Sequence, residues 1–388
     1  MKKKITILGS TGSIGLTPLE IIKKDKKNFE TYILSANKNY NLICKQIKEY
    51  SPKIFIVNDK KTYLKILLKF KNKKIKIFNN FKFKKKNKSD VTISAIPGIA
   101  GLEPTIEMIR QSRKMLIANK ESIICGWELI KKEAKKNKTK IIPVDSEHYS
   151  IFKLIENVPK NLISKIYLTA SGGPFLDFTI KNLKKVKPKN ALKHPKWNMG
   201  KKITIDSSTL MNKIFELVEA QKLFDFPQNK FDIIIHPNSL VHAILELKNG
   251  IKKFIYHDTS MKIPIANAIY DGQININKIY RKKSKFKFEN LCFKEVDKKI
   301  FPAITLKDKV NKYPSAPIIL NAANEVLVEQ FLKEKIGFLD INKFIMAILK
   351  DKNYKKYAIK KPNNINQINL IDIWARSSTL KKIKFNNV

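Results

Sequence analysis

The sequence contains only three cysteines, and they lie far apart at Cys44, Cys125 and Cys292. Their number is odd and no two have the close spacing of a metal-binding pair, so neither a disulfide framework nor a zinc knuckle is indicated. Long apolar runs are also missing. Uninterrupted runs such as Ile233–Ile235 are far shorter than the ~20 residues that cross a bilayer. The N-terminal Met-Lys-Lys-Lys leads into a strand-like segment without a signal-peptide core, so we expect a cytoplasmic protein with no membrane partner.

Arginine and acidic residues are scarce in a chain that is otherwise highly charged. Its 388 residues include 78 Lys+Arg against 33 Asp+Glu, a formal net charge of +45. Such a charge ordinarily suggests a polyanionic partner such as nucleic acid. Only four of the basic residues are arginine, however, and arginine is the side chain best suited to phosphate and guanine contacts. The lysines are spread along the chain with abundant Asn and Ile, so we expect solvated faces and no specific nucleic-acid partner.

A glycine motif, Gly9-x-x-Gly12-x-x-Gly15, directly follows the strand pattern of 4–8 and precedes a helical pattern. Strand, glycine turn and helix is the order found in dinucleotide-binding sites. The glycines let the backbone approach a pyrophosphate, and the helix N-terminus directs its unpaired N–H groups at the anion. A purely structural turn is the alternative, but the flanking strand and helix favour cofactor binding.

The segment after the second predicted strand distinguishes NADPH from NADH. An NAD-specific enzyme usually has Asp or Glu there to bind the ribose hydroxyls, whereas this chain has Ala36-Asn37-Lys38-Asn39. No carboxylate stands there to repel a 2′-phosphate, and Lys38 is able to pair with one. The sequence therefore predicts NADPH, with an ordinary surface lysine as the alternative interpretation of Lys38.

The overall pattern predicts an α/β protein of several domains, since single cores stop growing near ~250 residues. Strand patterns separated by helical patterns predict an N-terminal Rossmann-like parallel sheet over 1–145. We expect an α+β catalytic domain over 146–270, a linker over 271–296 and a small C-terminal helical domain over 297–388. The predicted strands are 4–8, 31–35, 53–57, 91–96, 115–118, 141–144, 166–169, 203–205, 231–235 and 241–247. The predicted helices of the second half are about 209–224, 302–306, 317–332 and 341–349.

Acidic residues appear together in Asp145-Ser146-Glu147-His148, directly after the strand pattern of 141–144. Open α/β sheets place their ligands at this carboxyl edge. In an extended chain Asp145 and Glu147 project to the same side, where two carboxylates repel each other unless a cation or proton intervenes. Hard oxygen ligands favour Mg²⁺ or Mn²⁺. Solvated acids at an exposed strand end are the alternative, but carboxylates are scarce in this chain and the sequence favours a metal.

A second polar cluster lies on the helix predicted for about 209–224. Asn212 and Glu216 are four residues apart and Lys213 and Glu216 three apart, so all three share one face near the helix start. Ser207-Ser208-Thr209 offers candidates for the helix N-cap. Hydroxyls, an amide and an ammonium group would together form an anion site beside a third carboxylate. The alternative is an ordinary capped amphipathic helix with a Lys213–Glu216 ion pair.

Three loops complete the candidate site. Ser171-Gly172-Gly173-Pro174 combines open backbone with a hydroxyl, which suits phosphate. The segment 194–200 places Trp197 between Pro and Gly and fits a hinged loop that closes over a ligand. The segment 119–122 follows another sheet strand and therefore lies at the ligand edge. A plain turn, a core tryptophan and simple loop polarity are the respective alternatives.

Seven motifs in this order closely resemble the 1-deoxy-D-xylulose 5-phosphate reductoisomerase family. They are Gly9-Ser10-Thr11-Gly12-Ser13-Ile14-Gly15, Ala118-Asn119-Lys120-Glu121-Ser122, Pro143-Val144-Asp145-Ser146-Glu147-His148, Ser171-Gly172-Gly173-Pro174-Phe175, His194-Pro195-x-Trp197-x-Met199-Gly200, Met211-Asn212-Lys213 with Glu216, and Asn321-Ala322-Ala323-Asn324-Glu325. The resemblance implies an oxidoreductase that rearranges and reduces 1-deoxy-D-xylulose 5-phosphate to 2-C-methyl-D-erythritol 4-phosphate in the non-mevalonate isoprenoid pathway. It implies NADPH, a divalent metal (Mn²⁺, Mg²⁺ or Co²⁺), a phosphosugar substrate and a homodimer.

The resemblance also implies residue roles. The implied NADPH contacts are Thr11, Gly12, Ser13, Ile14, Asn37, Lys38, Asn39, Asn119, Glu121 and Gly200. The implied metal ligands are Asp145, Glu147 and Glu216, which count with Lys120 as catalytic residues. The implied substrate contacts are Lys120, Ser146, Ser171, His194, Ser207, Asn212, Lys213 and Glu216, with Trp197 and Met199 on the closing loop. Asn37 stands where the family pattern has Gly, so we expect a different contact to the adenosine-phosphate end of NADPH.

Two alternatives belong to other functional classes. One is another NADP-dependent dehydrogenase of a phosphorylated substrate, which would not isomerise and whose carboxylates need not bind metal. The other is a Lys-rich nucleic-acid-binding protein that retains a Rossmann core. Its best support is the stretch Lys71–Lys88, in which Phe78, Phe81 and Phe83 are interleaved with lysines.

Overall fold

A computed structural model describes residues 1–83, 88–280 and 290–386. The chain forms two compact units. Unit 1 consists of Met1–Ser122, Trp127–Tyr149 and the described part of 260–287, and unit 2 consists of Ile123–Gly126, Ser150–Thr259 and the described part of 288–388. Part of the predicted linker at 271–296 lies outside the described residues. The division into domains at 145, 270 and 296 stays a prediction.

Unit 1 is built on a seven-stranded parallel sheet with the order β4-β3-β2-β1-β5-β6-β7. Its strands are β1 Lys3–Leu8, β2 Phe29–Ala36, β3 Ile54–Val57, β4 Lys76–Phe78, β5 Ser89–Ser94, β6 Ser112–Ile117 and β7 Lys140–Pro143. Ile5, Ile7 and Ile93 are completely buried on the central strands. Burial on both faces is what a parallel sheet between helices requires. The structure confirms the predicted α/β class with an N-terminal Rossmann-like sheet.

Unit 2 contains a four-stranded mixed sheet with the order β11-β10-β8-β9. Its strands are β8 Ile163–Ala170, β9 Phe231–Ile235, β10 Val241–Leu247 and β11 Lys252–Tyr256. β8 is parallel to β9, whereas β10 is antiparallel to both β8 and β11. Strands, helices and a helical C-terminal region together give the predicted α+β character.

Fifteen α-helices are present in the described part of the chain. They are α1 Ser13–Lys24, α2 Tyr40–Tyr50, α3 Lys60–Lys69, α4 Leu102–Ile109, α5 Lys120–Asn137, α6 Ser146–Leu154, α7 Ile180–Leu183, α8 Pro188–Ala191, α9 Lys201–Ser208, α10 Met211–Phe224, α11 Lys262–Tyr270, α12 Ala316–Leu332, α13 Phe338–Leu349, α14 Tyr354–Ala358 and α15 Ile365–Asn386. The predicted helix at 302–306 is a short 3₁₀ helix, Pro302–Leu306. No helix in the described residues is long and apolar enough to span a membrane.

Two local predictions in unit 2 are wrong. The predicted strand 203–205 lies inside helix α9, where Ile205 is completely buried. Three residues of alternating pattern cannot distinguish the two structures, and packing of α9 against α10 and α12 decides for the helix. The predicted cap Ser207-Ser208-Thr209 is also wrong, because both serines belong to the last turn of α9. Helix α10 instead begins after Leu210, which has a φ of 65° and no side-chain cap among the described residues.

Candidate active site

The glycine turn brings the start of α1 directly over the end of β1. A Cβ on Gly15 would lie 2.1 Å from the carbonyl oxygen of Gly9, and a Cβ on Gly9 would lie 2.7 Å from the carbonyl oxygen of Ala95. Gly9 also has a φ of +78°, which favours glycine. Gly12 is exposed and caps α1 without a side-chain hydrogen bond in the described residues. The unpaired N–H groups of the first turn of α1 are therefore suited to an anionic ligand.

The turn is fixed to β2 and α2 by hydrogen bonds. The backbone N–H of Gly9 donates to Ser35 Oγ at 3.0 Å, and Gln46 Nε2 donates to the carbonyl oxygen of Ser10 at 2.8 Å. Asn39 caps α2, since its Oδ1 accepts from the N–H of Leu42 at 3.2 Å. The predicted cofactor residues Asn37, Lys38 and Asn39 are all exposed after β2. That placement leaves them accessible to a nucleotide.

The segment after β6 carries a capped helix start and a buried cation. Asn119 Oδ1 accepts from the N–H of Ser122 at 2.6 Å, and its Nδ2 donates to Glu121 Oε2 at 3.1 Å. Lys120 is buried, and its Nζ lies 3.7 Å from Asp145 Oδ2. A buried ammonium group requires a nearby negative charge. The ends of β6 and β7 thus place a cation and carboxylates together within unit 1.

The acidic tetrapeptide follows β7, as predicted, but it is not extended. Ser146 begins α6, so Glu147 lies in the first turn of this helix. Asp145 Oδ1 accepts from the N–H of Glu147 at 3.2 Å and lies 3.2 Å from His148 Nδ1. The prediction that an extended chain brings the two carboxylates to one side is therefore wrong. Asp145 and Glu147 nevertheless offer carboxylate oxygens within 4.8 Å of each other. Two half-buried carboxylates at this spacing fit a divalent cation.

Helix α10 places the second polar cluster on one face within unit 2. Glu216 is 1% exposed. Its Oε2 lies 2.5 Å from Lys213 Nζ, and its Oε1 accepts a hydrogen bond from Asn212 Nδ2. Pairing with an ammonium group and an amide offsets the cost of burying this carboxylate. The structure thus contains the shared face expected from the spacing of these three residues.

His194 links two of the predicted loops. Its Nδ1 accepts from the backbone N–H groups of Lys196 and Trp197, at 3.1 and 2.9 Å, and its Nε2 lies 3.1 Å from Ser171 Oγ. Burial, reinforced by the charge of Lys213, lowers the pKa of His194 to about 4. The ring is therefore neutral at pH 7. Because Nδ1 accepts, the proton lies on Nε2 and is donated to Ser171 Oγ.

The Ser171 loop approaches the end of α9 closely. Gly173 has a φ of +60°, and a Cβ there would lie 3.1 Å from the Cα of Ser208 and 3.3 Å from the carbonyl oxygen of Ser207. Its backbone N–H donates to Ser171 Oγ at 3.0 Å. Since Ser171 Oγ accepts from both this N–H and His194, its own hydroxyl proton is available to another acceptor. The half-buried Ser207 lies beside this loop.

Sequence reasoning missed two histidines near the loop tryptophan. The Trp197 and His242 rings meet edge to face with centroids 6.0 Å apart, and His242 stacks on His257 at 3.9 Å. Burial lowers the pKa of His257. The chain has only five histidines, and their rarity was the one signal in the sequence that pointed to them.

Fold and site together define a class: an oxidoreductase with a dinucleotide-binding sheet and carboxylates at the carboxyl edge of that sheet. Family models described as 1-deoxy-D-xylulose 5-phosphate reductoisomerase, its C-terminal domain and the DXP reductoisomerase C-terminal domain match residues 5–126, 141–224 and 258–378. The chain belongs to the 1-deoxy-D-xylulose 5-phosphate reductoisomerase family. The predicted enzyme class is thereby confirmed.

Individual relatives agree over nearly the whole chain. The 1-deoxy-D-xylulose 5-phosphate reductoisomerase of Pelagibacter ubique (strain HTCC1062) is 46% identical over 374 residues, 94% of this chain and 96% of the relative. A crystal structure of DOX-P reductoisomerase with NADPH, fosmidomycin and magnesium is 31% identical, covers 99% of both chains and gives a TM-score of 0.89. The Zymomonas mobilis enzyme in complex with NADPH is 29% identical, covers 99% of both chains and gives a TM-score of 0.86.

Proposed function

We propose that this chain converts 1-deoxy-D-xylulose 5-phosphate to 2-C-methyl-D-erythritol 4-phosphate with NADPH and a divalent metal. Membership of the family over almost the entire chain carries this function, and the sites in both units agree with it. The substrate is accordingly a small phosphosugar, and the reaction contributes to isoprenoid synthesis. NADPH and a divalent metal are the cofactors, as in the related structures that carry NADPH and magnesium.

NADPH binding is assigned to the glycine turn and to the polar ends of β2 and β6. The absence of room for a Cβ at Gly9 and Gly15, with an exposed Gly12 between them, supports this assignment. The proposed contacts are Thr11, Gly12, Ser13, Ile14, Asn37, Lys38, Asn39, Asn119, Glu121 and Gly200. When bound, the nicotinamide supplies hydride. The exposed Lys38 provides positive charge for the 2′-phosphate, and Asn37 replaces a glycine without adding a carboxylate.

The metal is assigned to Asp145, Glu147 and Glu216. The donor set supports this, because all three are carboxylates and Asp145 and Glu147 lie within reach of one cation. When bound, the divalent ion acts as a Lewis acid on substrate oxygens. Lys120 provides a buried positive charge beside Asp145 that is suited to a substrate hydroxyl. The divalent ion in this proposal is Mn²⁺, Mg²⁺ or Co²⁺.

The substrate phosphate and hydroxyls are assigned to donors on three segments. Neutral His194 donates to Ser171, which leaves the Ser171 hydroxyl proton directed to a substrate oxygen. Lys213 and Asn212 hold Glu216 and supply further donors on the same helix face. Phosphate bound by such a set acts as a remote handle whose binding energy orders the loop 194–200. The proposed substrate contacts also include Ser146 and Ser207.

A homodimer in the cytoplasm completes the proposal. Strand β11 is at one end of the unit 2 sheet, where backbone groups are able to pair with another chain. Phe254 on β11 and the neighbouring Ile251 are about half exposed. Sedimentation of the purified protein as a dimer, and as a monomer after Phe254→Lys, is the expected result. A monomeric wild-type protein would remove the homodimer from the proposal.

The activity is tested by following NADPH oxidation with 1-deoxy-D-xylulose 5-phosphate in the presence and absence of Mn²⁺ or Mg²⁺. We expect oxidation only with substrate and metal together, and the methylerythritol phosphate as product. Metal-independent oxidation would favour an ordinary dehydrogenase. No oxidation under any of these conditions would overturn the proposed function.

A further inference from the structure

The family motif Asn321–Glu325 takes no part in the site described so far. It lies on α12 in unit 2, and Asn324 is completely buried. Its side-chain Nδ2 donates to Asp206 Oδ1 at 2.7 Å, across 118 residues of sequence. Asp206 is itself 1% exposed. A buried carboxylate on α9 is thus held by an amide from a distant helix.

The other oxygen of Asp206 is also engaged. Lys202 Nζ, one turn earlier on α9, lies 2.9 Å from Asp206 Oδ2. Asn324 Oδ1 is buried without a hydrogen-bond partner in the described part of the chain. A buried amide oxygen without a partner costs free energy. The hydrogen bond from Nδ2 to Asp206 is therefore the polar contact that favours asparagine at this position. The assignment of Nδ2 follows from the carboxylate, which only accepts.

Asp206 lies on a short helix, α9, between two segments of the proposed substrate site. α9 directly follows the loop 194–200 and ends at Ser208, shortly before α10. Its first residue follows Gly200, which offers no side-chain cap. Eight residues are too few to form a stable helix alone, so tertiary contacts set the position of α9. Asp206 directly precedes Ser207 on this helix, so anchoring Asp206 also fixes the backbone position from which the Ser207 side chain projects.

We propose that Asn324 and Asp206 form a positioning pair that orients Ser207 for the substrate phosphate. This inference rests on the proposed function, in which Ser207 contacts that phosphate. Neither side chain of the pair touches substrate or cofactor in this role. Loss of the Asn324–Asp206 hydrogen bond allows α9 to rotate, and the cost falls on substrate binding.

The test compares Asn324→Ala with a matched control, Arg376→Gln. Arg376 Nε lies 2.6 Å from Asp372 Oδ2, and the guanidinium group also donates to Glu325, so it connects α15 to α12. Among the described residues, its hydrogen bonds and ion pairs do not involve α9. We expect Asn324→Ala to raise KM for 1-deoxy-D-xylulose 5-phosphate about tenfold or more and to leave KM for NADPH unchanged. Arg376→Gln is expected to lower Tm with both KM values unchanged. Equal KM values for substrate in wild type and Asn324→Ala would overturn the inference.

A double-mutant cycle shows whether Asp206 and Asn324 act through their shared hydrogen bond or independently of each other. Asp206→Ala and Asn324→Ala act through the same hydrogen bond, so the double variant should show nearly the same substrate KM as Asn324→Ala. Independent, multiplied effects would contradict a positioning pair. If neither wild type nor Arg376→Gln oxidised NADPH with this substrate, the proposed function would be rejected. That result differs from an active wild type whose substrate KM is unaffected by Asn324→Ala, which would reject only the positioning pair.

An isosteric variant keeps the inference testable if the alanine variants do not fold. Asn324→Asp places two carboxylates together, which repel unless they share a proton. When it is protonated, the introduced carboxyl group donates to Asp206 as the amide does. We therefore expect the ratio of variant to wild-type substrate KM to approach one at low pH and to rise several-fold at high pH. A ratio that does not change with pH would overturn the inference.

Discussion

At the scale of single residues, the candidate site depends on the groups that surround its buried polar side chains. Glu216 is buried, and Lys213 and Asn212 pair with its two oxygens. His194 is uncharged because it is partly buried and near Lys213. Residue type and spacing predicted the first arrangement, since i, i+3 and i, i+4 neighbours share a helix face. They did not predict the second, which depends on contacts between distant loops.

Replacement of Glu216 by Gln is expected to abolish turnover while nearly preserving NADPH affinity. The substitution keeps the shape but removes a proposed metal ligand, and we expect kcat to fall by at least about 100-fold. Steady-state kinetics and NADPH fluorescence titration measure the two effects. Glu334→Gln, at an exposed position, is the control and should behave as wild type. Equal loss of activity and NADPH binding would contradict separate metal and cofactor sites.

His194 is expected to make the stability of unit 2 depend on pH. Its pKa is about 4 when folded and 6.5 when exposed, so between these values the unfolded chain binds more protons. Stability from this group is present above pH 6.5 and is lost as the pH falls towards 4. We expect wild type to lose about 1–2 kcal/mol more than His194→Gln over this range, because partial exposure screens the charge. Urea unfolding at several pH values measures the difference, and parallel curves would refute it.

At the scale of elements, local patterns predicted most strands but not every helix. The strands of the central parallel sheet were predicted because their apolar residues are buried on both faces. The segment 203–205 has the same residue types, but α10 and α12 hold it in a helix. Edge strands β4 and β11 were missed, since exposed lysines interrupt the apolar pattern there. The edge strands β7 and β9 were predicted because their apolar runs are not interrupted by lysine, so short patterns depend on an unbroken apolar run.

The glycine turn provides a prediction at this scale. Gly15→Ala places a Cβ against the backbone of Gly9, so we expect α1 to shift, NADPH affinity to fall at least about tenfold and stability to fall by about 1–3 kcal/mol. Gly250→Ala is the control, because its φ of +86° disfavours alanine although an added Cβ would meet no atom within 4 Å among the described residues, so stability should fall without loss of NADPH affinity. Calorimetric titration and thermal unfolding test both variants. Unchanged NADPH binding in Gly15→Ala would contradict the proposed cradle.

At the scale of the whole molecule, the net charge of +45 remains the most unusual property of the chain. Its substrate and cofactor are anionic, so a positive field raises their rate of encounter. In the stretch Lys71–Lys88, the rings of Phe78 and Phe83 stack on each other with centroids 4.8 Å apart, while 84–87 lie outside the described residues. Attraction of small anionic ligands is therefore the role that we predict for this charge.

Added salt is expected to lower kcat/KM for the phosphosugar. Mobile ions screen exposed charges beyond about 10 Å at 0.1 M and beyond about 3 Å at 1 M, which weakens steering of the anion. We expect kcat/KM to fall several-fold when the NaCl concentration rises from about 0.05 to about 0.5 M. Equal concentrations of sucrose provide an uncharged control. A value of kcat/KM that does not change with salt would show that the field plays no part.

The sequence by itself determined the cofactor-binding order of strand, glycine turn and helix, the position of the carboxylates after a strand, and the shared face of Asn212, Lys213 and Glu216. These features depend on residues a few positions apart, whose relation is set by backbone periodicity. The tertiary structure decided that 203–205 is helical, that Asp206 pairs with Asn324, and that His194 is neutral. Each of these depends on burial and on partners that lie far away in sequence, and only the packed chain brings such groups together.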